Sequence, residues 1–292
     1  MTLYSMDLND ARTLLWLASA LYGAALVAGL SLASKERRLP SMVPFFLILF
    51  AFMSHTRGLY IRGLDVHGCP LGNGMERIQF ILWSVVTGYL IMRILFRLNL
   101  LGSFAAGLAG IGGAISLLSP GLDGAYWLEP EYQRLFSGPW IELHASVAIF
   151  SYGLFALLAV VSVMYMVQQK ALQTKRTGAL GAYLPSIHQL ETASQRLLLV
   201  GVIFLTVSIV VGSMHWTRSS DSVSSVKLWV TIGLWIAYCG LWYLHFRQKL
   251  YGKKFAKACI ALFALAILSL GFVRSAPQRQ ETPPQPSIED VS

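Results

Sequence analysis

Histidine and tryptophan side chains gather at the ends of consecutive apolar runs in this sequence. His144 opens one run, His215 closes the next, and His245 lies near the end of the run that follows. Trp216 and Trp229 flank the polar segment between the last two runs. Neutral imidazole is a common ligand of haem iron, and indole rings stack on flat apolar molecules. The pattern therefore predicts a site for a flat, metal-bearing ligand such as haem.

The same residue types also fit an ordinary membrane surface. Tryptophan is enriched at membrane–water interfaces, and an interfacial histidine commonly pairs with a loop carbonyl. We interpret His67 and His188 in this structural sense. His55 lies within an apolar run, where an ionisable side chain is costly and is a functional candidate by default. From the residues alone, both interpretations of the other histidines stay open.

The composition predicts the elements that must position these side chains. Hydrophobic residues make up 55% of the chain and charged residues 13%, against about 25% charged in soluble domains. The apolar runs are long enough to cross roughly 30 Å of hydrocarbon, where helices satisfy their own backbone groups. We predict an all-α, polytopic membrane protein that forms a single domain over residues 1–275. Its eight predicted spans cover residues 13–33, 41–59, 78–97, 101–119, 142–167, 197–215, 226–246 and 255–273, and a disordered polar tail follows at 276–292.

Between the predicted spans, loops rich in basic residues alternate with loops that hold most of the acidic residues. Lys35, Arg93, Lys170 and Lys253 lie in one set of loops, and most carboxylates lie in the other set. The positive-inside rule then places both termini outside. The net charge of +9 follows from this bias, so we predict the lipid bilayer as a partner and no nucleic acid.

Motifs of common catalytic sites are missing. The three cysteines Cys69, Cys239 and Cys259 form no CxxC pair, and no GxSxG, HExxH or Walker sequence occurs. We therefore do not expect an enzyme. At the inner surface, Pro185 is expected to open a short amphipathic helix ahead of the span at 197–215.

Four segments carry a family resemblance. RGLDVHGCPLGNGMERIQFILW holds an Arg, a Pro-Leu-x-Asn element, a Glu and a Trp; LHASVAIFSYGLF opens a helix with an outer His; LPSIHQLETASQRLLLVG contains an LP…LE…G pattern; and YLHFR ends a span. In this order they resemble the cytochrome c assembly family of membrane haem-handling proteins, which includes a CcsA type and a HemX/YpjD type. The matching residues are Arg62, Pro70, Leu71, Asn73, Glu76, Trp83, His144, Tyr152, Pro185, Leu190, Glu191, Gly201, Gly212 and His245.

The resemblance implies a cytochrome c biogenesis factor in a bacterial inner (plasma) membrane. Such a protein binds haem, here haem b, and delivers it at the outer face for attachment to apocytochrome c. One outer and one inner haem position are expected, with His144 and His245 as axial ligands of iron. A partner assembly subunit with an outer domain is expected as well.

Two departures from the family pattern affect the outer position. The CcsA type has a Trp-rich loop, WGxYWxWDPKE, where this chain has WTRSSDSVSSVKLW and keeps Trp216 and Trp229. The family's second outer His, in a late Gly-x-His-Ser-Tyr segment, is absent. Either the chain is a HemX/YpjD-like member, or His215 replaces the missing outer ligand.

Three functions therefore remain as alternatives. The first is haem delivery for c-type cytochromes, with His144, His245, His215 and His55 as candidate ligands. The second is a HemX-like, non-catalytic membrane regulator of haem synthesis. The third is a small-molecule transporter that binds no haem.

Overall fold

The computed structural model describes residues 10–33, 42–66, 68–96, 99–122, 139–174, 184–216 and 225–272. Within these ranges the regular structure is entirely helical. The helices are α1 Ala11–Ala33, α2 Met42–Asp65, α3 Gly74–Phe96, α4 Asn99–Leu118, α5 Pro139–Gln173, α6 Ile187–Trp216, α7 Ser225–Phe246 and α8 Gly252–Phe272, with a 3-10 turn at Pro120–Leu122.

Seven of these helices, α1 to α7, are long and apolar enough to cross a membrane. The eighth, α8, is present as a helix but carries Lys253, Lys254 and Lys257 in its first two turns. The prediction of an all-α, multi-pass membrane protein is confirmed. The outward placement of both termini stays a prediction, because residues 1–9 and 273–292, including the tail at 276–292, lie outside the described ranges.

The predicted boundary at the start of α6 is wrong. The span was expected at 197–215 behind a separate amphipathic helix, but one continuous helix runs from Ile187 to Trp216. Its start is capped by Ser186, whose Oγ accepts from the Gln189 amide at 3.3 Å while the Gln189 side chain accepts from the Ser186 amide at 3.1 Å. This reciprocal cap begins the helix directly after Pro185, and nothing interrupts it before the apolar part.

The helices pack as two groups of four. In the first, α1 packs against α2 and α4, and α3 packs against α4. In the second, α5 packs against α6 and α8, and α7 packs against α6 and α8. Contacts between α3 and α5 join the groups. The 35-residue helix α5 is thus the central element, and its outer end carries His144.

Small residues set the closest helix contacts. A Cβ atom on Gly110 of α4 would lie 2.9 Å from the backbone nitrogen of Gly23 in α1. In the second group, a Cβ on Gly201 of α6 would lie 2.5 Å from the ring of Phe155 in α5. Glycine at these points lets the helices approach closely, as is typical of membrane helix interfaces.

Candidate functional site

His144 lies in the second turn of α5, where it packs against α6. Proline at the first helical position starts α5, and Glu142 lies in its first turn, where a carboxylate interacts favourably with the helix dipole. The half-buried imidazole of His144 reaches Ser208 of α6: its Nδ1 lies 2.7 Å from the Ser208 carbonyl oxygen. The contact joins two neighbouring antiparallel helices.

This contact determines the tautomer of His144. A carbonyl oxygen can only accept a hydrogen bond, so Nδ1 must carry the ring proton. The other ring nitrogen, Nε2, then keeps its lone pair. The Ser208 hydroxyl donates in the opposite direction, to the His144 carbonyl at 3.1 Å. The imidazole is thereby held in the form that a metal-ligating histidine usually has, with one nitrogen fixed by a carbonyl and the other able to ligate.

Gly212 provides the space for the His144 ring. A Cβ atom at position 212 would lie 2.7 Å from both Cε1 and Nδ1 of His144, closer than real Cβ contacts. Ser208 and Gly212 are one helical turn apart on the same face of α6. The ring therefore lies across a surface of α6 that only glycine leaves open.

His215 follows on the same side of α6. It is three residues beyond Gly212 and seven beyond Ser208, so the helical register places these positions on one face. Its rise above Gly212 is about 4.5 Å. The side chains of His215 and of Trp216 lie outside the described part of the chain, and their roles stay predictions.

His245 lies at the opposite end of the second helix group, in the last turn of α7. Its side chain is 4% exposed. Nδ1 is 3.0 Å from the Leu250 carbonyl oxygen, and the ring stacks on Phe255 at a centroid distance of 4.1 Å. The turn that presents this carbonyl contains Gly252 with φ of 61°, a conformation in which glycine carries no steric cost.

His245 and His144 thus share one arrangement. In each case a backbone carbonyl accepts a hydrogen bond from Nδ1–H, which leaves Nε2 as the potential ligand. The two lie at opposite ends of the α5–α8 group, so they belong to separate positions rather than to one iron. One outer and one inner haem position stay a prediction.

The remaining predicted site residues lie elsewhere. His55, 2% exposed, is buried in the first helix group and forms an edge contact with Tyr22 at 5.9 Å between ring centroids. Trp229 on α7 is 70% exposed, so its ring faces outward from the protein. Neither His55 nor Trp229 is among the contacts of His144 described above.

Residues 68–73 are held beside α3 by the Glu76 carboxylate, which also forms an ion pair with Arg62. Arg62 Nε donates to Glu76 Oε1 at 2.7 Å, and Glu76 is 1% exposed. The other Glu76 oxygen accepts from the Gly72 amide at 2.8 Å, while Asn73 Oδ1 caps the Glu76 amide at 2.8 Å. Three of the residues that carry the resemblance in this segment, Arg62, Asn73 and Glu76, therefore belong to one network.

The same loop reaches the outer end of α5. The Cys69 thiol makes a hydrogen bond with Ser146 at 3.1 Å, and Gly68 lies against the Glu142 carboxylate. Burial raises the pKa of the Cys69 thiol; Glu142 and Glu76 act in the same direction, and the bond with Ser146 opposes them. Glu142 and Ser146 flank His144 by two residues on either side. The loop thus lies next to the helix turn that carries His144.

Several residues in these contacts were not predicted as parts of a site. Ser208, Leu250 and Phe255 were not singled out in the sequence, and Gly212 was noted only as part of the resemblance. Gly212 could have been identified from the sequence as a glycine within a predicted helix and close to a candidate histidine. Nothing in the sequence marks which carbonyl will face an imidazole.

The chain matches known proteins over most of its length. The family model described as "Cytochrome C assembly protein" matches residues 72–278. "Protein HemX" of Brevibacillus brevis is 28% identical over 206 residues, covering 70% of this chain and 73% of its own length. "Cytochrome c biogenesis protein CcsA" of Cyanidium caldarium is 26% identical over 264 residues, covering 79% and 83%.

A further "Protein HemX", from Bacillus subtilis (strain 168), is 26% identical over 211 residues, covering 69% of this chain and 74% of its own length. The matched residues 72–278 include His144, His245, Ser208 and Gly212. Such membership supports a role in cytochrome c biogenesis. The chain belongs to the cytochrome c assembly protein family.

Proposed function

We propose that this protein is a haem-handling factor of cytochrome c biogenesis, with His144 as the axial ligand of an outer haem. The observation that carries the proposal is the hydrogen bond from His144 Nδ1 to the Ser208 carbonyl. The bond holds the ring in one orientation, and with its proton on Nδ1 a neutral ring can bind iron through Nε2.

The residues around His144 fit a haem ligand. Many structural histidines also bind a carbonyl, and the haem proposal uses the further point that a neutral ring with its proton on Nδ1 presents the Nε2 lone pair to a ligand. Here one nitrogen is anchored to α6, and the bond that anchors it needs a glycine at position 212. Haem is itself the group that is attached to a cytochrome. The residues of this chain orient and hold it when it is bound.

His245 is proposed as the ligand of the inner haem. Its Nδ1 is held by Leu250 and its ring by Phe255. Because the two histidines lie at opposite ends of the α5–α8 group, haem would occupy the positions one after the other on its way to the outer face. We propose haem b as the form that is handled.

His215 is proposed as the second axial ligand of the outer haem. Its place on the Ser208–Gly212 face of α6 is the supporting observation, since that face contacts His144. This assignment would compensate for the missing late His of the family pattern. Trp216 is proposed to stack on the same haem, whereas Trp229, exposed as it is, would have to turn inward to do so.

The partners and the location follow from the same proposal. We propose apocytochrome c and an assembly subunit with an outer domain as partners, and a bacterial inner membrane as the location. Residues 68–73, which are fixed beside the N-terminal end of α5, form the surface we propose for contact with them.

Two observations favour a second function, that of a regulator of haem synthesis. Two of the similar proteins carry the name HemX, and the Trp-rich loop of the CcsA type is reduced here to Trp216 and Trp229. A HemX-like regulator of haem synthesis that binds no haem is therefore the alternative.

The absorption spectrum of the detergent-purified protein separates these functions. Haem delivery predicts a low-spin, bis-imidazole haem spectrum that His144→Ala reduces strongly. His188→Ala is the matched control, because His188 is exposed at the other end of α6. A colourless protein that takes up no added haem would support the regulator.

A further inference from the structure

A cluster of buried polar groups lies in the first four helices, apart from His144 and His245. Tyr22 of α1 and His55 of α2 face each other with their rings at 71°. They are 1% and 2% exposed. Neither ring nitrogen of His55 nor the Tyr22 hydroxyl has a hydrogen-bond partner of acceptable geometry among the described residues.

The neighbouring polar groups are already used. Gln79 of α3, which is 1% exposed, lies alongside His55. Its amide nitrogen donates to Ser116 Oγ at 2.8 Å and to the Gly113 carbonyl at 3.2 Å, both in α4. Its two N–H donors are thus directed away from His55, and its side-chain and backbone oxygens lie near the ring without meeting hydrogen-bond geometry. The cluster contains polar groups from all four helices, but its own bonds leave the His55–Tyr22 pair unsatisfied.

An unpaired buried polar group costs about 1–3 kcal/mol, and native proteins usually satisfy such groups with ordered water. The unsatisfied atoms also indicate what can bind. Neutral imidazole offers one donor and one acceptor, and a phenol offers one donor and an acceptor. The cluster holds no anionic oxygen for a cation. An iron ion would use one ring nitrogen and leave the other, and the Tyr22 hydroxyl, unpaired. A small neutral molecule that both donates and accepts satisfies all three atoms.

We propose that His55, Tyr22 and Gln79 form a binding site for one or two water molecules inside the membrane-spanning helices. In this assignment His55 is not a haem ligand. Water there joins α1, α2 and α3 through hydrogen bonds and allows His55 to exchange its proton and switch tautomer. The site is independent of the proposed haem positions.

Solid-state NMR of the ¹⁵N-histidine-labelled full chain in lipid bilayers tests this proposal. His55→Gln identifies the His55 ring signals by their loss. Tyr22→Phe gives a second assignment, because removal of one oxygen atom shifts only the ring that Tyr22 contacts. We expect magnetisation transfer from water protons to a neutral His55 ring, and weaker transfer in Tyr22→Phe.

Two results would overturn the proposal. The first is the absence of transfer to His55 under conditions in which exposed His188 shows it. The second is loss of the His55 ring signals when ferric haem is added, because paramagnetic iron would then be bound by this ring. Failure of haem binding at His144 would leave the water-transfer result unchanged, so the two proposals fail separately.

Discussion

The Nδ1 atom of His144 lies 2.7 Å from the carbonyl oxygen of Ser208, across the interface between α5 and α6. This distance links two residues that are 64 positions apart in the chain. It gives His144 a fixed tautomer and orientation before any ligand binds. The predictions that follow concern this contact, the loop beside it and the buried groups that support both.

Replacing Gly212 should displace His144. Gly212→Val places a branched side chain where a single Cβ would already lie 2.7 Å from the ring, so we expect haem binding to fall at least tenfold. Haem titration followed by absorbance measures the effect. Gly233→Val in α7 is the matched control, because nothing lies within 4 Å of its Cβ position. Unchanged haem affinity in Gly212→Val would contradict the assigned role of this glycine.

Removal of the Ser208 hydroxyl should have a smaller effect. Ser208→Ala loses the bond to the His144 carbonyl but keeps the backbone oxygen that fixes Nδ1. A hydrogen bond of this kind contributes about 1 kcal/mol, which corresponds to roughly a fivefold change in haem affinity. The same titration measures it. A loss as large as that of His144→Ala would mean that the hydroxyl, rather than the carbonyl, fixes the ring.

The buried ion pair between Arg62 and Glu76 should be essential to stability. Removing one partner of a buried pair costs about 3–5 kcal/mol, because the other charge is left uncompensated. We expect Arg62→Leu and Glu76→Leu each to lower the thermal unfolding temperature in detergent. The double variant should lose less than the sum of the two single variants. Strict additivity would show that the pair does not interact in solution.

Alkylation of Cys69 should require high pH. Burial raises the pKa of this thiol, so the thiolate fraction at pH 8 is smaller than that of a free cysteine, and the labelling rate rises only at higher pH. Iodoacetamide labelling against pH, in a background of Cys239→Ser and Cys259→Ser, gives the midpoint. Ser146→Ala removes the hydrogen bond that opposes the shift, so its midpoint should move further upward. A downward movement would contradict the assigned contact.

Much of the fold could be predicted from hydropathy, because each apolar run corresponds to one helix. The start of α6 could not, since the Ser186–Gln189 cap decides it and the polar residues after Pro185 look like a separate surface helix. The exposure of Trp229 could not be predicted either. Helix α7 is apolar on most of its surface, so its sequence does not show which face packs inward.

The candidate site, like the fold, could be predicted only in part. The identity of His144 and His245 follows from sequence, because ionisable side chains stand out near apolar runs. Their partners do not: Ser208 and Leu250 contribute backbone carbonyls, which every residue has. His55 stood out for the same reason as His144, yet within the described ranges its ring nitrogens meet no partner of hydrogen-bond geometry and lie beside Tyr22 and Gln79.

The absorption spectrum of purified protein, reduced minus oxidised, tests the central proposal most directly. The wild type and His188→Ala should both show a low-spin haem signal, His144→Ala should lose the outer-haem component, and His245→Ala should lose a separate inner component. Equal signals in the wild type, His144→Ala and His245→Ala would contradict the assignment of these two histidines as haem ligands.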